Sequence, residues 1–379
     1  MAERLRIIHC FRAPVGGLFR HVLDLSGEQA ARGHDVGYII DSTVADPLTE
    51  DRLAKAASRL TLGIMRVPMG RLPGLRDLAT SRAVRDAARD WRANVLHGHG
   101  AKGGAYARLA ARELRLDGSN VVAFYTPHGG SLHYPLSTPQ GMLYAAIEKF
   151  LARYTDGLIF ESDFIRRVYD KRVGTGPVPE RVIPNALQPG DFTPHKPNPD
   201  AADFLFIGEL RHLKGVDVLL QALAAIAAVG PARPVRAVIV GSGPDAPAFR
   251  AMASQLKIDG LVEFPGAMPA QAAFPLGRCL VVPSRAESMP YIVLEAAAAQ
   301  MPLLATNVGG IPEIVNGTDT PLMPPGNVDV LAGAMQAFLD APQEAQAGAR
   351  RLKTAVAERF TVAKAAGEVL AFYAERLGR

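Results

Sequence analysis

Short, continuous apolar runs alternate along this chain with longer stretches in which apolar residues recur every three or four positions. The first run, residues 5–11, has no polar face and predicts a buried strand. Gly16-Gly17 follows as a loop. Residues 19–31 then place Val22, Leu23, Leu25 and Ala30 at helical spacing, and Gly33-His34 ends that helix. Residues 36–40 form the next strand, and 94–97, 121–125, 158–160 and 181–183 read as further ones, with helical stretches between. Residues 188–199 are proline-rich and aperiodic, which predicts a linker. Beyond it the alternation restarts, with strands over 204–207, 237–240, 262–264, 280–282 and 303–305, and a helical, alanine-rich segment over 328–377.

Strands that alternate with helices imply right-handed crossovers and parallel sheets covered on both faces. Two such series predict an α/β protein of two doubly wound, Rossmann-like domains facing a cleft. Ligands of these sheets bind beyond the carboxyl ends of strands, so chemistry is sought in the loops that follow them.

Composition narrows the class. The length of 379 residues fits two domains, and 48% apolar with 21% charged residues is ordinary for a globular protein. Disorder, collagen-like repeats and disulfide scaffolds are excluded. Cys10 and Cys279 are lone thiols in apolar runs, which suits a reducing compartment and offers no cysteine-based zinc site. The amino terminus reaches Pro14-Val15-Gly16-Gly17 too early for a signal peptide, and the apolar run 216–229 is interrupted by Asp217 and Gln221. A cytoplasmic location is expected, with peripheral contact to the inner face of a membrane as an extension of it. That extension comes from charge: residues 1–190 hold 26 Lys and Arg against 19 Asp and Glu, and residues 191–379 hold 16 against 18. A basic first half fits an anionic partner or a solvated, arginine-rich surface. No basic run is interleaved with aromatics, so nucleic acid is not the expected partner.

Five loops carry candidate chemistry. Gly16-Gly17 opens a helix after the first strand, where absent side chains and the helix N-terminus suit an anionic oxygen. The segment from Gly208 to Gly215 places Arg211 and Lys214 just before an amphipathic helix, an arrangement suited to a diphosphate. Gly241-Ser242-Gly243 makes a tight turn. Residues 283–295 set Glu287 in a loop and Glu295 on the helix that follows, where a carboxylate can accept from a ribose diol. His128, in Thr126-Pro127-His128-Gly129-Gly130, ends a strand. His97-Gly98-His99 hints at a metal, but no third ligand is identifiable from the sequence.

With these residues in view, the chain resembles, over nearly its whole length, the retaining glycosyltransferases of family 4, which have the GT-B fold. Gly16 through Val22 resembles the family's opening loop and helix, Arg32-Gly33-His34-Asp35-Val36 its helix-to-strand turn, and Val182-Ile183-Pro184-Asn185-Ala186 the approach to its interdomain linker. The block Glu287 to Glu295 matches the family's paired glutamates, continued by Thr306 through Glu313. The resemblance implies an acceptor-side domain over 1–187, a nucleotide-sugar domain over 200–360, and a helix over 361–379 that packs back on the first. It implies that His128 and Glu287 are catalytic and attend the transferred sugar. Gly16, Gly17, Arg211, Lys214, Gly241, Ser288, Met289, Pro290 and Glu295 would bind a UDP- or GDP-linked donor, with Glu295 on the ribose and Lys214 on the diphosphate.

No metal or other cofactor is expected, since basic side chains and helix N-termini do that electrostatic work. The acceptor would be a sugar, a lipid-linked sugar or a polysaccharide, in keeping with an apolar stripe of Met142, Leu143, Ala146, Phe150 and Leu151 beside Lys149 and Arg153. The stripe fits plain core packing equally well. Three positions depart from the family: Glu209 stands where a basic residue is usual, Ser288 and Gln300 where glycine is. Arg211 is the candidate to replace the missing base. The alternatives are a sugar-nucleotide epimerase of the same fold, a non-catalytic sugar-nucleotide-binding scaffold, and a nicotinamide dehydrogenase, the last without its glycine fingerprint.

Overall fold

A computed structural model describes residues 3–43, 47–70, 72, 74, 76–174 and 176–378. The chain divides into two compact units, Met1–Ala186 with Val362–Arg379, and Leu187–Thr361. The first holds a seven-stranded sheet of β1 (Arg6–Phe11), β2 (Asp35–Asp41), β3 (Gly63–Val67), β4 (Val95–His99), β5 (Val122–Thr126), β6 (Gly157–Phe160) and β7 (Glu180–Val182), in the order 3-2-1-4-5-6-7. The second holds six: β8 (Ala202–Ile207), β9 (Ala237–Val240), β10 (Val262–Gly266), β11 (Gly277–Val282), β12 (Leu303–Thr306) and β13 (Leu322–Met323), in the order 10-9-8-11-12-13. Every pairing between these strands is parallel.

Strand residues alternate between two separate cores, as a sheet buried on both faces requires. In the second unit Phe204, Phe206, Cys279 and Val281 pack into one core, while Leu205, Leu280 and Val282 pack into the other. In the first unit Ile8, Cys10, Leu96 and Ala123 face one way and Ile7, Val95, Val122 and Phe124 the other. The helix Val362–Arg376 covers this second face with Ala366, Val369, Phe372 and Tyr373, all buried. Burial of a side chain the size of Phe372 stabilises by roughly 1.5–3 kcal/mol.

Several elements depart from the sequence reading. The first helix begins at Gly16, so the two glycines form its opening turn rather than a preceding loop. β4 runs on through His99, and β3 and β13 are additional strands. The segment 328–377 is three helices, Val328–Asp340, Pro342–Arg359 and Val362–Arg376, because Pro342 has no amide hydrogen to continue the first of them. Residues 188–199 are not a free tether but part of the second unit. Gln188 and Asp191 cap the 3-10 turn Pro189–Phe192, Phe192 packs against the core, and the His195 amide donates to the Ala299 carbonyl at 2.6 Å.

Candidate functional site

In each sheet the strand order reverses beside the first strand: β1 lies between β2 and β4, and β8 between β9 and β11. The loops that leave the carboxyl ends there diverge and make a natural ligand crevice. The candidate residues fall on these loops, and each unit forms its own cluster.

In the second unit, the 3-10 turn His212–Lys214 follows β8 and passes through Gly215, at φ 72°, into the helix Val216–Ala228. A Cβ on Gly215 would lie 2.0 Å from the Pro283 carbonyl oxygen, so glycine is what lets this loop meet the one after β11. The two loops are then tied together. The Arg285 amide donates to the Leu213 carbonyl at 2.8 Å, and the Arg285 guanidinium grips both oxygens of Asp217, at 2.8 and 2.6 Å, and the His212 carbonyl at 2.7 Å. Burial alone would raise the Asp217 carboxyl, but the hydrogen bonds and charge of Arg285 outweigh it and hold it below the usual range.

Lys214 and Glu287, distant in sequence, meet as a result. Lys214 Nζ lies 2.8 Å from each Glu287 carboxylate oxygen, and the Ser284 hydroxyl donates to Oε1 at 2.7 Å. Glu287 is buried, whereas the Lys214 side chain is 28% exposed and offers the polar face of the pair to solvent. Glu295 is also buried, on the helix Tyr291–Ala298 among Leu294, Ala296 and Ala297. The loop after β12 braces this arrangement. A Cβ on Gly309, at φ 60°, would sit 1.9 Å from the Glu287 carbonyl oxygen, and the Gly310 amide donates to the Ser288 carbonyl at 2.7 Å.

The other sequence candidates take more modest places. Arg211 lies 3.5 Å from Glu209, both about half exposed, so the carboxylate that breaks the family pattern faces a guanidinium. Gly241 has its backbone against the Gly208 carbonyl and brings the loops after β8 and β9 together. The Met289 side chain belongs to the core, which leaves its backbone as the part available to a ligand. Pro290 caps the helix that carries Glu295. Gly16 and Gly17 are exposed on the first turn of the helix Gly16–Ala31. A depression of about 380 Å³ in the second unit, lined by Asp203, Arg233, Arg236 and Arg278, lies at the opposite, amino-terminal ends of β8 and β11 and includes none of these residues.

The first unit gathers histidines. His9 comes from β1, His97 and His99 from β4, His21 from the helix after β1, and His128 from the loop after β5. His128 has φ 52°, a left-handed backbone uncommon for a residue with a side chain, which turns its ring back toward the strands. Its Nε2 is 3.1 Å from His99 Nδ1, and its Nδ1 is 2.7 Å from the Glu161 carboxylate, an ion-pair contact rather than an aligned hydrogen bond. His99 Nε2 continues to His9 Nδ1 at 2.9 Å, and His9 Nε2 to Gln29 at 2.8 Å. His97 is occupied on both nitrogens, by Tyr373 at 2.6 Å and Thr126 at 2.9 Å. His21 Nδ1 meets Asn185 Oδ1 at 3.0 Å, while its buried Nε2 has no hydrogen-bond partner. Burial lowers the pKa of His9 to about 4, and lowers those of His21, His97 and His99 too, so these rings are neutral.

Of these histidines, the sequence pointed to His97, His99 and His128. It missed His21, Asn185, Gln29 and Glu161. Glu161 is 4% exposed in its side chain and lies directly after β6. Its place one residue past a strand was the available signal.

Comparison with known proteins adds the remaining context. A family model described as Glycosyltransferase Family 4 matches residues 15–190, and one described as Glycosyl transferases group 1 matches residues 201–341. The chain is 28% identical over 381 residues to the glycogen synthase of Mycobacterium tuberculosis, covering 94% of this chain and 91% of that protein. It is 28% identical over 361 residues to the 2-deoxystreptamine glucosyltransferase of Streptomyces kanamyceticus, covering 86% and 92%. Among solved structures, Anabaena HepE in complex with UDP aligns over 98% of this chain and all of its own, with a TM-score of 0.78 at 17% identity. Sucrose-phosphate synthase of Thermosynechococcus elongatus aligns over 98% and 99%, with a TM-score of 0.78 at 20% identity. These likenesses establish the fold as GT-B.

Proposed function

The chain belongs to the glycosyltransferases of family 4, and from that premise we propose that it transfers a sugar from a UDP- or GDP-linked donor to a hydroxyl acceptor with retention of configuration. The observation that carries this reading is the Lys214–Glu287 pair at the switch point of the second sheet, with buried Glu295 on the helix that follows. A lysine has three donors, and this one is already held at the loop surface by a carboxylate. A diphosphate could take donors from Lys214 and from Arg211, while Glu287 accepts from the hydroxyls of the donor sugar. Glu295 would accept from the ribose diol. Gly16 and Gly17 offer backbone amides at a helix N-terminus, which favours anionic oxygen without a metal.

The step proposed is attack by the acceptor hydroxyl on the face from which the nucleoside diphosphate leaves. The new bond forms between acceptor oxygen and anomeric carbon as the bond to the diphosphate oxygen breaks, and the acceptor proton passes to the departing phosphate. Glu161 is buried against the His128 ring rather than open to a ligand, so two-carboxylate retention is not favoured. His128 would contact the transferred sugar, and Lys214 and Arg211 the negative charge that develops on the leaving group.

A cell-surface polysaccharide or glycolipid is the proposed product class. It is supported by the helix Pro139–Ala152, where Met142, Leu143 and Phe150 are about half exposed near Lys149 and Arg153 while Leu151 is buried. The stripe is therefore only partly core packing, and its exposed part suits an acceptor with a lipid portion or a peripheral membrane contact. Among the described residues, no helix is long and apolar enough to cross a membrane.

The deciding experiment is calorimetric titration with a panel of UDP- and GDP-sugars, followed by transfer assays with and without acceptor. Binding of one such donor, with Glu295→Ala weakening it by about 1–3 kcal/mol, is the expected result. Unchanged nucleotide affinity in Glu295→Ala would remove that residue from the site. Donor turnover that needs no acceptor and returns an isomerised sugar nucleotide would favour the epimerase.

A further inference from the structure

Independently of the transferase chemistry, the geometry points to a transition-metal site of the zinc class in the first unit, held by His21 Nε2, His99 Nδ1 and His128 Nε2. One ring nitrogen from each of these residues lies within 4.8 Å of the other two. His99 Nδ1 and His128 Nε2 are 3.1 Å apart, close to the ~3.3 Å edge of a tetrahedron whose metal–nitrogen bonds are about 2.0–2.1 Å.

Proton placement separates this set from an ordinary cluster of hydrogen-bonded rings. Each ligand nitrogen belongs to an imidazole whose other nitrogen already has an outward partner. The His21 Nδ1 hydrogen goes to Asn185 Oδ1 and the His99 Nε2 hydrogen to His9 Nδ1, while His128 Nδ1 lies 2.7 Å from the Glu161 carboxylate, whose charge favours the proton on that nitrogen. The His9 Nε2 hydrogen then goes to Gln29 Oε1. This assignment follows from the partners, since Asn185 and Gln29 present their amide oxygens and Glu161 a carboxylate. It leaves three ring lone pairs pointing inward, and one of them, His21 Nε2, is buried with no hydrogen-bond partner at all. It also sets the lone pairs of His99 and His128 facing each other at 3.1 Å, a repulsion that a shared cation turns into attraction. Metal-bound histidines characteristically donate their second nitrogen to a carboxylate, carbonyl or similar acceptor, which fixes the ring and raises its basicity.

A neighbouring triad fails this test. His9, His97 and His99 are also close enough to share an ion. Yet both nitrogens of His97 are taken by Tyr373 and Thr126, and both of His9 by His99 and Gln29. Those rings form the outer support. Three imidazoles with the fourth position open suit Zn²⁺, Co²⁺, Ni²⁺ or Cu²⁺ better than Mg²⁺ or Ca²⁺, which prefer oxygen ligands. The Glu161 carboxylate supplies the negative charge. A metal here takes the His128 nitrogen that a sugar contact would use, so the two uses exclude each other at any one time.

The test uses the full chain, stripped with chelator and titrated with Co²⁺ and then Zn²⁺, with the visible absorption of Co²⁺ and calorimetric stoichiometry as readouts. A single Co²⁺ per chain with a tetrahedral-type spectrum, displaced by Zn²⁺, is expected. His21→Gln and His128→Asn should each abolish that spectrum, and asparagine tolerates the left-handed backbone at position 128, so that variant decides the matter even if the other misfolds. Glu161→Gln, which removes a positioning residue, should weaken binding roughly 10–100-fold and leave the spectrum's form intact. His195→Ala, in the second unit, should bind Co²⁺ like the parent chain. No stoichiometric binding, or a spectrum that persists in a folded His128→Asn, overturns the site. Donor affinity, measured on the chelator-stripped chain, reports on the transferase reading alone.

Discussion

Gln300 shows how a single departure from a family pattern becomes a physical statement. The residue follows the helix Tyr291–Ala298 and its cap Ala299, and it has φ 58°. This is the left-handed position at a helix end that glycine fills without steric penalty, and a side chain there costs on the order of 1–3 kcal/mol. The Gln300 carbonyl accepts from the Gln346 side chain at 2.9 Å, a contact that survives any substitution at position 300. Gln300→Gly should therefore stabilise the second unit by about 1 kcal/mol, less what is lost to a more flexible unfolded chain. Equilibrium denaturation of the two proteins checks this, and a fall in midpoint would refute it. The paired glutamates, Lys214 and His128 were all legible as residue types after strands. Their partners were not. Ser284, Arg285 with Asp217, and Asn185 with His21 depend on which loops the sheet order brings together, and no local pattern records that.

At the scale of elements, the strands with uniformly apolar runs were readable and the edge strands were not. β3 is the sequence Gly63-Ile64-Met65-Arg66-Val67 at the sheet margin, mostly half-buried, and β13 is only two residues long. Neither carries enough apolar contrast to stand out. What fixes the pairing of β1 with β2 is polar. Asp35, at the start of β2, is buried and takes hydrogen bonds from Arg4, from Arg6 at 3.1 Å and from Thr61 at 2.8 Å. Burial alone would raise its carboxyl, but the Thr61 and Arg4 hydrogen bonds and the two arginine charges lower it below 3.8. The contribution to stability is thus complete above 3.8 and is lost as the pH falls through the lower folded value. The chain's single tryptophan, Trp91, lies in this unit, and its carbonyl accepts from Arg6 Nε at 2.7 Å. Trp91 fluorescence during denaturant unfolding should therefore report easier unfolding of the first unit below about pH 4. Asp35→Asn should lose about 1–3 kcal/mol at neutral pH and flatten that acid limb. A parallel loss at every pH would show that the carboxylate's charge is not what matters.

For the whole molecule, the alternation of strands and helices was enough to give two doubly wound sheets, while the packing of the segment between them was not legible. Proline content made residues 188–199 look like a tether, yet His195 and Phe192 bind them into the second unit. The closing helix Val362–Arg376 completes the other core, with Tyr373 hydrogen-bonded to His97 and Phe372 against Phe124. The order of assembly during synthesis follows from this. Domains commonly fold from the amino terminus as the ribosome delivers them. Here the first unit cannot bury Ile7, Val95 and Phe124 until residues near 372 have emerged, whereas the second needs only a contiguous stretch ending at Thr361. The part translated first should be the part finished last. Nascent chains stalled with residue 361 exposed should show a protease-resistant second unit and a cleavable first one, and protection of both at that length would contradict the order. Until the helix Val362–Arg376 emerges, the apolar face of the first sheet is exposed, and this is the interval in which a chaperone has something to hold.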